Sequence, residues 1–307
     1  MKGELVKKWL GKLTKLNAAT GSGKCRGKAP HKPLLLLCLL DMAEAGKLTG
    51  RRFTRTAELV LRFKSYGALV SERWPTRLDL RLPFFYLRTQ GFWQTFTLEM
   101  IPAQSPESCF VCEQHGEFFD LLADADFRLK ARLLLVSRYF EPRERVALLV
   151  SLGLVADGAE KIEQRMASLN EEAEDTARKK GRSARFAVQV VSRYKFTCAL
   201  TGLCCLTTDG AAIVDAAHIE PFATNQNDDI ENGLALCKNA HWMFDEGLWS
   251  VRGDGRVLLS TQRFTENGPE GLRLEPYAGR LLQFAAGVTL RPKADYFARH
   301  RTFHGMS

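Results

Sequence analysis

From residue 157 to residue 182 the chain nearly runs out of apolar side chains. The stretch containing "EKIEQRMASLNEEAEDTARKKGRSARF" is highly charged, and a segment with so little to bury cannot close a core of its own. Apolar periodicity holds on both sides of it. The 307 residues are therefore expected to fold as two domains, 1–156 and 183–307, joined by a partly helical charged linker at 157–182. With 45% of its residues apolar, the chain has enough to fill both cores.

Charge is concentrated at the N-terminus. Residues 1–64 hold fifteen Lys or Arg against four Asp or Glu, an excess of eleven, while the whole chain carries +9. Such a segment suits phosphate contacts, and equally a solvated basic face. Leu5, Val6, Trp9, Leu10, Leu13 and Leu16 recur at helical spacing between lysines and do not form the continuous apolar stretch of a secretory signal. "LLLLCLL" (34–40) falls far short of the roughly 20 apolar residues that span a bilayer. The expectations are a cytoplasmic location, no membrane partner, and eight cysteines kept reduced. "CFVCEQH" (Cys109, Cys112, His115) is half of a zinc pattern. A structural zinc needs four ligands and the remaining candidates lie far along the chain, so core or surface thiols are the expected reading.

"HKPLLLLCLLDMAEAG" predicts a central buried helix, with Pro33 tolerated in its first turn and Gly46 as its stop. Lys24, Arg26, Lys28, His31 and Lys32 crowd its start. There the open amides of a helix N-terminus add partial positive charge, which suits a backbone phosphate. "FFYLRTQGFWQTFT" (84–97) alternates around "TQG" and predicts a hairpin, with Arg73, Arg77 and Arg81 just before it and Arg88 within it. Helices are predicted over 126–139 and 143–153, and again through "FAVQVVSRY".

The segment from Cys198 to Val251 is the most informative for chemistry. His218 follows a strand-like apolar run, Asn232 lies fourteen residues on in "ENG", and His241 nine beyond that in an apparent helix. The pieces "AAHIEP", "NGLALC" and "HWMFDEG", with "CALTG" upstream, resemble the HNH nuclease family in its "AAHI-P" branch. The resemblance implies a ββα-metal unit that docks on DNA, holds one divalent ion against the scissile phosphate and hydrolyses the phosphodiester.

Each chemical role then has a candidate. His218 would be the general base, because an imidazole titrates near neutral pH and can take a proton from water. Asn232 would either hold the His218 region in register or lie near the metal. His241 and Asp245, four apart, share a helix face and form the first metal pair. Many relatives place a ligand directly before the base, where this chain has Ala217. Asp215 projects from the same strand face as Ala217, so it is the candidate third ligand, and its carboxylate must then reach the volume shared by His241 and Asp245. Family precedent favours Mg or Mn, while the donor set also tolerates Zn or Ni. Trp242, Phe244, Leu248 and Trp249 are expected in the core, and His300 and His304 in a terminal helix packed on this unit.

The first half resembles the sulfur-binding domain fused to HNH nucleases that restrict phosphorothioate DNA. "APHKPLLLLCLL" (29–40) and "LPFFYLRTQGFW" (82–93) carry the resemblance. Sulfur in place of a phosphate oxygen is larger, more polarizable and less hydrated, so an apolar socket ringed by cations can select it. Pro83, Phe84 and Tyr86 are the candidate socket wall. Arg26, Lys28, His31 and Lys32 would hold the strand, with Arg77, Arg81 and Arg88 nearby. The chain departs from the family pattern at Leu82, where an aromatic is usual, and at Tyr86, where a smaller residue is.

The expected protein is thus α+β: a mixed helix and hairpin DNA-reading domain followed by a ββα-metal HNH domain. It would act on double-stranded DNA as a modification-dependent, type IV-like restriction or defence enzyme. An HNH enzyme reading methylated or unmodified DNA, and a DNA-binding regulator without catalysis, stay open as alternatives. One site per chain implies transient dimerisation or sequential nicking for a double-strand break.

Overall fold

In the computed structural model two helices lay down the first core. Helix α1 (Lys2–Thr14) buries Trp9 and Leu13, and α2 (His31–Glu44) buries every side chain from Leu34 to Leu39 completely. A helix apolar on all sides must be enclosed. Accordingly α2 is packed by α3 (Ala57–Ala68), α4 (Arg81–Tyr86) and α6 (Ala125–Tyr139). Its one buried-side acid, Asp41, accepts from Arg62 Nε at 2.6 Å and from the Tyr66 hydroxyl at 2.8 Å, so the charge enters the core already paired.

The structure describes all residues except 1, 77, 155–170, 222–226, 261, 290 and 307. The chain divides into two compact units, Met1–Arg185 and Phe186–Ser307. In the first, β1 (Arg52–Thr54), β2 (Trp93–Phe96) and β3 (Val111–Gln114) form an antiparallel sheet in the order β1-β3-β2, and α5 (Gly116–Leu122) and α7 (Pro142–Ser151) complete the helical set. The expected linker 157–182 lies outside the described residues up to 170. Its remainder is the opening of α8 (Glu171–Arg193), within which the division between the units falls.

The second unit begins with the end of α8 and continues into a hairpin of β4 (Val214–His218) and β5 (Gly233–Cys237). Helix α9 (Lys238–Asp245) follows at once, then a small hairpin of β6 (Trp249–Val251) and β7 (Val257–Leu259), and finally α10 (Ala294–His304). The fold is α+β, and the strand–strand–helix order of the second unit is the ββα arrangement expected. No described helix is long and apolar enough to cross a membrane.

Two expectations are corrected, and the cysteines are thiols as expected. The predicted hairpin over 84–97 is half helix: Phe84, Phe85 and Leu87 are buried through a helical turn, and Gly91, at φ 72°, ends it as a left-handed cap rather than turning a hairpin. Only Trp93–Phe96 is a strand, and its partner is Val111–Gln114. Trp242, expected in the core, is 62% exposed, whereas Phe244 and Trp249 are fully buried. Cys109 and Cys112 are buried thiols, and Cys198 and Cys237 lie 3.7 Å apart, sulfur to sulfur.

Candidate functional site

The β4–β5 register sets His218 opposite Gly233 and Asp215 opposite Leu236. These pairings place the two polar residues at opposite ends of the strand and, being three apart, on opposite faces of it. Ala217 and Val214 are buried, so the hairpin is anchored by its small and branched residues while His218 stays half-buried at the open end. The His218 ring stacks on Phe186 of α8, centroids 3.8 Å apart and planes within 4°, and its Nε2 lies 3.0 Å from Asp228 Oδ1.

Asn232 explains the "NG" of the motif. Its fully buried amide accepts from the Glu220 backbone N–H at 2.8 Å and donates to the carbonyls of Glu220 and Asn227, at 3.2 and 3.0 Å. The chain on each side of the 222–226 segment is thereby clipped to the foot of β5. Gly233 follows because a Cβ there would collide with Val190 and stand 3.1 Å from the Ile230 carbonyl. Gly247, which ends the helix at φ 67°, faces the His304 ring just as closely.

Helix α9 carries His241 and Asp245 one turn apart, with Nε2 and Oδ2 3.3 Å from each other. Burial raises the Asp245 carboxyl above its ordinary range, and the nearby His241, His304 and His218 pull it back down. Asp215 is placed elsewhere: its carboxylate pairs with Lys238 at the first turn of α9, the end of the helix away from Asp245. The volume it was expected to share with His241 and Asp245 is not formed. Among the described residues no three His, Cys, Asp or Glu side chains converge as a closed ligand set. The donors that do meet, one imidazole and one half-exposed carboxylate, fit an ion that keeps open positions for water and phosphate oxygen.

The terminal helix braces both sides of this site. Arg299 donates to Glu220 at 2.9 Å, and the Tyr296 hydroxyl accepts from Asn227 at 2.8 Å, so α10 holds the loop after β4. His300 stacks on Phe244 at 3.9 Å. Its Nε2 faces the Phe244 carbonyl at 3.2 Å and must carry the proton, leaving Nδ1 to accept from the Ser250 hydroxyl at 3.0 Å. Burial lowers this imidazole to about 3, so it stays neutral and structural. Sequence reasoning placed His300 and His304 correctly in a packed terminal helix, and missed Phe186, Asp228 and Arg299. No spacing rule points to those three; Phe186 comes from α8, Arg299 from α10 and Asp228 from the segment before β5, and only the fold brings them together.

In the first unit the two motif segments meet. Lys32 Nζ donates to the Asn17 carbonyl at 2.7 Å and to Gln90 Oε1 at 3.1 Å, joining the start of α2 to the turn after α4. Burial lowers both Lys32 and His31, whose ring packs edge-on against Trp74. Arg26 and Lys28 are exposed on a loop whose carbonyls both accept from Arg73 NH1, at 2.8 and 2.7 Å. Arg73 itself is buried and paired with Glu144 at 2.8 Å. Arg81 is held by Asp79, and Arg88 lies over the Phe85 ring at 3.9 Å. Arg77 lies outside the described residues. The candidate socket wall changes: Pro83 and Phe84 are buried on the α4 turn, and the Phe84 ring packs edge-on against Phe53. Leu82, 39% exposed, and Tyr86, 45% exposed and one turn on, are the apolar groups that reach the surface.

Residues 198–252 match the family described as HNH endonuclease, and residues 6–157 match the ScoMcrA-like DNA sulfur-binding domain. No curated protein matches the chain. A solved structure described as "Modification dependent TagI restriction endonuclease" is 22% identical, with a TM-score of 0.32, over 40% of this chain. The match spans 38% of that protein.

Proposed function

Because the chain carries an HNH endonuclease domain after a ScoMcrA-like DNA sulfur-binding domain, we propose that it hydrolyses phosphodiester bonds in phosphorothioate-marked DNA, with one divalent ion, as a restriction enzyme. The observation that carries the reading is the strand–strand–helix unit itself, in which β4 ends on His218, held by Asp228 and Phe186, and the helix that follows β5 pairs His241 with Asp245 at 3.3 Å. A base and a two-donor ion site across one hairpin are the minimum a hydrolytic phosphodiesterase needs.

His218 takes the proton from the attacking water. His241 and Asp245 would hold the ion, Mg or Mn, which would supply positive charge for the phosphoryl and leaving oxygens. Asn232 keeps the loop beside His218 in place through its three backbone bonds. In the first unit Arg26, Lys28, His31 and Lys32 receive the phosphates, which positions the duplex without reading its sequence. Leu82 and Tyr86, with Arg81 and Arg88 beside them on the same short segment, offer the apolar and cationic mix that a weakly hydrated sulfur favours over oxygen. One such site per chain cuts one strand, so a double-strand break takes a transient dimer or two successive nicks.

Removal of the ion tests the chemistry. A chelator should abolish cleavage, and Mn or Mg should restore it. His241→Ala and Asp245→Ala should each lower the restored rate by about a hundredfold or more, equivalent to roughly 3 kcal/mol of lost transition-state stabilisation. Cleavage that persists in excess chelator, or is unchanged in both variants, would remove the ion site from α9.

A further inference from the structure

We infer that Asp228 is the positioning residue that sets which nitrogen of His218 acts as the base, an inference that rests on the nuclease reading above. Asp228 Oδ1 lies 3.0 Å from His218 Nε2, and both side chains are only about a fifth exposed, at 21% each. An ionised carboxylate is an acceptor only, so the nitrogen facing it must bear the hydrogen. In the neutral ring that leaves the lone pair on Nδ1. The nitrogen able to take a proton from water is then Nδ1, and protonation there creates an imidazolium whose Nε2–H already points at a negative charge.

The surroundings hold this arrangement ready. Phe186 stacks within 4° of the His218 plane, which leaves the ring little freedom to tilt. On the other side the turn that carries Asp228 is pinned at both neighbours. The Asn227 carbonyl accepts from the buried Asn232 amide, and the Asn227 side chain accepts from the Asp229 backbone N–H at 2.9 Å. Asp229 in turn caps the Ile230–Asn232 turn and pairs with Lys293 at 3.1 Å. In the run "NDD" the first and third side chains thus secure the loop, while the second turns to His218. A carboxylate on a pinned turn, against an imidazole whose plane is fixed, loses little entropy when the proton moves, which is what a pre-set base requires.

The comparison of Asp228→Asn with Asp228→Glu tests this role. An Asn amide can donate to Nε2 as readily as accept from it, so the ring is free to shift its hydrogen to Nδ1 and block the base. In the serine-protease triad the equivalent change leaves the geometry intact and costs about 10⁴ in rate. Here Asp228→Asn should lower kcat by about 10²–10⁴ with duplex affinity within about twofold, and Asp228→Glu should recover part of the loss. The decisive readout is separate from activity: long-range ¹H–¹⁵N spectra of the full chain labelled at histidine, with the His218 signals identified by their absence in His218→Gln. The wild type above the imidazole pKa should show hydrogen on Nε2 and none on Nδ1, and Asp228→Asn should shift the ring toward the Nδ1–H form. A wild-type ring with its hydrogen on Nδ1, or identical tautomers in wild type and Asp228→Asn, would overturn the inference. These spectra need only the folded protein. A chain that cuts no DNA would defeat the nuclease reading and leave the tautomer result standing by itself.

Discussion

Replacing His218 by Ala is expected to lower the single-turnover cleavage rate by about 10²–10⁴ while leaving duplex affinity within about twofold, the range a lost general base accounts for. Affinity should hold because the cations proposed to receive phosphate are carried by the first unit, in the Arg26–Lys32 segment. The ring also stacks on Phe186, so the control is His218→Gln, which fills similar space and lacks the base. Both variants should show that loss of rate, and His218→Gln should show it with thermal unfolding unchanged. An unchanged rate in His218→Ala would remove His218 from the chemistry. A wild type that binds DNA yet never cleaves, whichever of Mg, Mn, Zn or Ni is supplied, would favour the regulator alternative.

The second large effect is expected far from that chemistry. Glu144 accepts from Arg73 Nε at 2.8 Å and from the Glu141 backbone N–H at 2.9 Å, and both side chains of the ion pair are buried. Burial pushes the Glu144 carboxyl upward even though Arg73 opposes the shift, a sign of how little solvent reaches the pair. Glu144→Ala leaves a buried guanidinium without its counter-ion, and should cost the first unit about 3–5 kcal/mol. Because Arg73 also holds the carbonyls of Arg26 and Lys28, DNA affinity should fall in the same variant, even at temperatures where the unit remains folded. Denaturant unfolding of the full chain, with the two transitions resolved, measures the first effect, and binding at fixed salt measures the second. A loss under about 1 kcal/mol would mean that solvent reaches Arg73 after all.

The parts of this molecule legible in the sequence are those set by local rules. The all-apolar face of α2, the helices over 125–139 and 142–151, and the strand–strand–helix order around His218 follow from periodicity and from where Pro, Asn and Gly stand. The segment 84–90 misled because a short apolar run reads equally as strand or helix, and only its packing against Phe53 and Trp93 decides. Asp215 shows the limit of face counting. Alternation correctly put it on the face of Ala217, but alternation says nothing of distance along the strand, and Lys238 stands at its end of the hairpin. Asp228 was invisible for the opposite reason. It stands ten positions on from His218, outside β4, where no strand or helix period runs from which proximity could be read.

The central claim joins a reading unit to a cutting unit, and one substrate pair tests the joint most directly. A duplex with a single phosphorothioate linkage and the same duplex without it should be compared for affinity and cleavage with Mn or Mg at one fixed salt concentration. Salt must be held constant because phosphate contacts alone move affinity by orders of magnitude. Tighter binding and faster cleavage of the sulfur-bearing duplex are expected, with the affinity preference retained and cleavage lost in His218→Ala. Equal affinity and equal cleavage for the two duplexes would contradict that claim.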